Sequence, residues 1–277
     1  MLDSARLKKI SVFPAPVRLV IFIGALSILW LPLALPIYWV LKDDSNLASI
    51  LTMALLFVEL LFFWRWWGNL VHGESQIYWR FGLVWSKRNG IEFVRGLALG
   101  FCLCLGLFVA EALLGWIEVV KPSVSLIRLV IEGLLSATGI ALAEELLFRG
   151  WLLDELQRDY GKKNCVWLTA IAFATAHFLK PLEEIIRTAV TFPALLLLGI
   201  ALVLAKYRHG DRLGISIGIH AGLVWAYYIV NVGELIEYSD RVPVWVTGID
   251  GNPIAGIMGL LFLSVLTWGI WSTKRPK

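Results

Sequence analysis

Runs of apolar residues long enough to cross a bilayer recur along the whole chain, near positions 18–41, 47–63, 93–119, 124–148, 164–178, 185–205, 213–231 and 254–272. A helix rising about 1.5 Å per residue needs about 20 such residues to span the hydrocarbon core. The pattern predicts an all-α fold: a polytopic membrane protein of about eight transmembrane helices, forming a single integral membrane domain over residues 1–277. Some runs are short for a span, and a helix that dips in without crossing is compatible with them. Hydrophobic residues make up 58% of the chain, well above the roughly 45–50% apolar usage of soluble domains.

Charge orients the runs, because Lys and Arg gather in cytoplasmic loops while acidic residues contribute little. Arg6, Lys8, Lys9 and Arg18 open the chain. Arg65, Arg80, Lys87 and Arg88, then Arg158, Lys162 and Lys163, then Lys206, Arg208 and Arg212, and finally Lys274, Arg275 and Lys277 fall on the same side. The other side receives Glu234, Glu237, Asp240 and Asp250. The expectation is a multi-pass protein with both termini cytoplasmic. Its net charge of +4 follows from that topology and gives no support for a nucleic-acid partner. The Trp- and Arg-rich stretch 64–92 reads as an amphipathic segment at the headgroup level. Cys102, Cys104 and Cys165 suggest neither a disulfide framework nor a metal-binding spacing.

Ionisable residues inside the apolar runs point to chemistry, since each costs about 2.5–3.5 kcal/mol at the bilayer centre even on lenient scales. Glu144 and Glu145 close the run Gly139-Ile-Ala-Leu-Ala-Glu-Glu-Leu-Leu-Phe-Arg149. Glu145 and Arg149 have the i,i+4 order that favours an intrahelical ion pair. Glu144, rotated about 100° around the helix, is left over as a candidate proton acceptor. His177 and His220 lie in two further runs; counting residues from the basic boundaries places Glu144 and His177 at depths where they can meet, with His220 shallower and within reach if its helix tilts or the chain re-enters. A carboxylate beside two imidazoles suits water activation. It also suits a divalent metal such as zinc, although no His-Glu-x-x-His helix is present, and a structural polar cluster is a third reading. Glu111, Glu118, Arg128 and Glu132 sit near run ends, where snorkelling or local pairing accounts for them. Asp250-Gly-Asn-Pro253 is a turn signature.

Glu144-Glu145-x-x-x-Arg149, Phe173-x-x-x-His177 and His220 in a glycine-flanked helix, in that order, resemble the CPBP family of CAAX proteases and bacteriocin-processing enzymes, with residues 133–231 covering its usual core. The resemblance implies an intramembrane endopeptidase with a cavity open to the cytosol and the bilayer, cleaving a membrane-anchored or lipidated protein or peptide. It also implies roles. Glu144 and His177 would activate water, His220 would stabilise the oxyanion, and Glu145 with Arg149 would hold the first helix in place, with no cofactor required. The chain departs from the family at Val224, where Asn or Asp is common; Trp225 and Asn231 are the nearby donors in sequence. A non-catalytic scaffold or immunity-type binding protein on the same fold is the alternative that Val224 motivates. A proton-coupled transporter is a third, against which the lack of inverted repeats counts.

Overall fold

The computed structural model describes residues 7–122 and 124–273. Arg6, Lys274, Arg275 and Lys277, invoked for the orientation of the termini, lie outside them. The chain is a polytopic, all-α membrane protein, and it packs into two compact units, one formed by residues 1–80 and 154–160 and the other by 81–153 and 161–277. Among the described residues six helices are long and apolar enough to cross a membrane: 15–40, 45–72, 87–113, 126–157, 182–208 and 214–232. The other two expected spans are helical but shorter, Lys162–Ala176 and Ile257–Ser272.

The first unit is built on α1 (Ala15–Val40) and α2 (Ser45–Trp67), the latter capped by Asp44, whose carboxylate accepts from the Leu47 amide at 2.9 Å. Such a cap satisfies an amide that the first helical turn cannot. Phe22 packs on Phe63 and Trp67, with ring centroids 4.7 and 5.2 Å away. Residues 154–160 return to this pair through a buried polar cluster. Arg18 donates to the Glu155 carboxylate at 2.9 Å and to Asp159 at 3.2 Å, while Trp67 and His72 reach Glu155 at 3.1 and 2.6 Å. Trp64 and Trp67 are both buried, unlike Trp79 and Trp85. The stretch 64–92 is not one amphipathic segment at the headgroups, because its first turn completes α2 and its last begins the next long helix.

The second unit contains α3 (Lys87–Leu113), α4 (Leu126–Glu145), α5 (Lys162–Ala176), α6 (Leu182–Thr188), α7 (Phe192–Arg208), α8 (Gly214–Val232) and α9 (Ile257–Ser272). A two-stranded antiparallel ribbon, β1 (Ile117–Val119) with β2 (Ile236–Tyr238), joins the segments after α3 and α8. α3 and α8 run parallel with their backbones in contact. A Cβ on Gly218 would lie 2.1 Å from the Phe93 carbonyl oxygen, on Gly222 2.2 Å from that of Leu97, and on Gly100 2.2 Å from that of Ile219. Gly96, Gly100, Gly214, Gly218 and Gly222 repeat every fourth residue, which puts them on one face of each helix and lets the backbones close up. α4 crosses the same helix antiparallel, with Trp225 Nε1 donating to the Val130 carbonyl at 2.9 Å.

Two charged residues sit differently from the expectation. Glu111 does not snorkel: it is fully buried in α3, and neither carboxylate oxygen has a hydrogen-bond partner among the described residues. Lys206 is not a loop charge. It is buried in α7, and its ammonium donates to the Phe81 and Arg149 carbonyls at 2.8 and 2.5 Å. Arg128 and Glu132 do pair, at 2.8 Å.

The glycine contact generates a test. Gly218→Ala should lower stability by about 1–3 kcal/mol, the usual cost of overpacking, and lower the thermal midpoint of the detergent-solubilised protein. Gly139→Ala, where an added Cβ meets nothing within 4 Å, should leave that midpoint unchanged or raise it slightly.

Candidate functional site

The end of α4 sets the site. Glu144 and Glu145 are its last two residues, and the chain then widens into a π-helical stretch, Leu146–Leu152, that carries Arg149. Such widened turns are often found at functional sites. Glu145 and Arg149 are both fully buried and pair at 2.8 Å, as their spacing predicts. The pair is not isolated. Glu145 Oε1 also accepts from His220 Nδ1 at 3.0 Å, and Arg149 donates to the Gly199 carbonyl at 3.3 Å. Its guanidinium carbon stands 4.2 Å from the centre of the Phe173 ring. One carboxylate and one guanidinium thus connect α4, α5, α7 and α8.

Phe173 had a place in the sequence motif but no role there. In the structure its ring packs edge-on against His177 and His220, with centroids 4.7 and 6.1 Å away, while one face meets Arg149. His177 follows the last residue of α5, and its Nδ1 lies 2.8 Å from the Phe173 carbonyl oxygen. A carbonyl only accepts, so Nδ1 carries the proton and the neutral ring keeps Nε2 as an acceptor. At His220 Nδ1 faces a carboxylate and likewise carries a proton, so Nε2 is an acceptor in the neutral ring and a donor in the imidazolium. Its Nε2 is then directed toward Glu144, whose Oε2 lies 3.9 Å away.

Glu144 is half-buried, and Oε2 has no hydrogen-bond partner among the described residues. A separation of 3.9 Å is too long for a direct hydrogen bond, but one water about 2.8 Å from each atom spans it. His177 and His220 line a common cavity of about 190 Å³, whose walls come from α3, α5, α7, α8, α9 and the loop before α9. The structure therefore brings His220 to Glu144, Glu145 to His220, and His177 to the cavity that His220 lines. Glu144 and His177 make no direct hydrogen bond or ion pair with each other among the described residues.

Val224 does line the cavity. Neither of the two donors near it in sequence replaces a polar side chain there: Trp225 is committed to the Val130 carbonyl, and Asn231 is exposed at the end of α8. The amide-bearing residue that does line the cavity is Asn252, which the sequence offers only as part of a turn. Among the described residues no group of three His, Cys, Asp or Glu side chains is arranged to hold a metal ion.

Residues 126–226 match the family model described as Type II CAAX prenyl endopeptidase Rce1-like. The match begins with α4, ends within α8 and contains Glu144, Glu145, Arg149, His177 and His220. No curated protein and no solved structure matches the chain.

Removing one member of the buried pair leaves the other charge uncompensated, which typically costs about 3–5 kcal/mol. Glu145→Gln should therefore lower the thermal midpoint far more than Glu144→Gln, whose carboxylate makes no direct hydrogen bond through Oε2. Parallel melts of the two variants in one detergent measure the difference.

Proposed function

We propose, on the premise that residues 126–226 belong to the CAAX protease family, that the chain is an intramembrane endopeptidase hydrolysing a peptide bond of a membrane-anchored or lipidated substrate. The observation that carries the reading is the placement of His220. Glu145 holds its Nδ1 at 3.0 Å, its Nε2 stands 3.9 Å from Glu144, and its ring borders the apolar cavity. Water held between Glu144 Oε2 and His220 Nε2 loses a proton to Glu144 as its oxygen attacks the substrate carbonyl carbon. Glu144 then returns the proton to the departing amine as the C–N bond breaks, so acid and base are one residue in two states. His177 Nε2 is a second acceptor for the attacking water. For a His220 that enters the step already as the imidazolium, with Nδ1–H donating to Glu145, Nε2–H donates first to the attacking water and then to the developing oxyanion, so no further proton is needed.

The cavity wall is largely leucine, valine and phenylalanine, which suits the apolar part of a lipidated peptide better than a soluble one. The excess of Lys and Arg between the helices supports cytoplasmic termini and a site served from that side.

The test is cleavage of fluorogenic lipidated peptides by purified protein in nanodiscs. The wild type should cleave, with Glu144→Gln reduced by about 10²–10⁴ and His177→Ala and His220→Ala also reduced, as expected for loss of a general base or its partners. Activity retained by Glu144→Gln would remove the mechanism. Loss to a chelator with rescue by zinc would replace it with a metal-assisted one. The apolar Val224 on the cavity wall favours a second reading, a non-catalytic binding protein, for which the biological activity would survive Glu144→Gln.

A further inference from the structure

A peptide drawn into an apolar cavity loses water from its carbonyl and amide groups, and each must find a partner on the wall or cost free energy. This wall offers few. Apart from the two histidines and Cys104, the polar residues that line the cavity are Tyr227 and Asn252. Asn252 lies in the loop between β2 and α9, next to Pro253, and its carboxamide is held in one orientation. Oδ1 accepts from the Ile254 amide at 3.3 Å, capping the short turn Pro253–Ala255. With the oxygen committed, the NH2 group is the free end, and it has no hydrogen-bond partner among the described residues.

We infer that the Asn252 carboxamide is a substrate-positioning group: its Nδ2 donates to a main-chain carbonyl of the peptide held in the cavity. This deepens the reading above and rests on the cavity being a peptide site. A donor fixed in advance by its own cap loses little rotamer freedom on binding, so it selects for a peptide over a bare lipid chain at low entropic cost. The loop that carries it is itself tied down, since Arg187 in α6 pairs with Asp250.

The cap and the donor can be separated. Asn252→Asp keeps an oxygen for the Ile254 amide and removes the NH2 group, whereas Asn252→Ala removes both. The probe is a dansylated tetrapeptide bearing an S-hexadecyl cysteine, bound to the protein in nanodiscs, with the same alkyl thioether lacking the peptide as the control. Both variants should weaken lipopeptide binding about tenfold, the usual worth of one hydrogen bond, and leave the thioether unaffected, while Asn252→Asp melts as the wild type does. Unchanged lipopeptide affinity in Asn252→Asp would overturn the assignment, as would a loss confined to Tyr227→Phe or a wild type that does not favour the lipopeptide over the thioether. Binding is read without turnover. Failure of the wild type to cleave would therefore count against the protease reading alone, and Glu144→Gln should bind the probe normally.

Discussion

The buried Glu145–Arg149 pair is the interaction on which the arrangement of the second unit depends. Two fully buried charges gain from their mutual attraction more fully as their remaining hydrogen-bonding capacity is met, and here neighbours meet part of it, while Glu145 Oε2 and Arg149 Nε have no hydrogen-bond partner among the described residues. Arg149 extends to the Gly199 carbonyl of α7 and lies over Phe173 of α5, and Glu145 takes a second donor from His220 of α8. Desolvation makes the cluster costly to break and so fixes its geometry. That fixity is transferred to His220, an imidazole held at one nitrogen by a carboxylate that cannot move.

The π-helical stretch and the glycine face supply the positions that the pair requires. Arg149 lies within the widened turn, where its own carbonyl accepts from the buried Lys206, so a second cation is anchored to the backbone of the first. On the other side, Gly214, Gly218 and Gly222 let α8 lie directly against α3. A side chain at any of these three positions would push α8 outward and carry the His220 ring with it, away from Glu145.

Much of this was legible in the sequence, and the parts that were not share a cause. Every apolar run became a helix because burial of the peptide backbone in lipid leaves few other options. Glu145 with Arg149 could be paired from their spacing alone, and the isolation of Glu144, His177 and His220 among apolar residues marked them out. What spacing cannot convey is tertiary contact. Glu145 looked satisfied by Arg149, yet it also holds His220. Trp64 and Trp67 match an interfacial composition, but both are buried, Trp67 against Phe22, Phe63 and Glu155. Asn252 comes from more than a hundred residues beyond Glu144 in the chain, in a segment whose local signal is that of a turn. The glycines every fourth residue are a readable signal of close helix contact. Nothing in Leu146–Leu152 announces a π-helix.

The α3–α8 contact also limits how the cavity can be entered. Where two backbones touch without intervening side chains, no rotamer change can loosen them, and neither helix can slide or roll without carbonyl oxygens colliding with its neighbour's Cα atoms. These helices form a fixed jamb. Admission of a bulky guest therefore falls to the other helical walls, where α7 contributes Leu195 and Leu198 and α5 contributes Phe173.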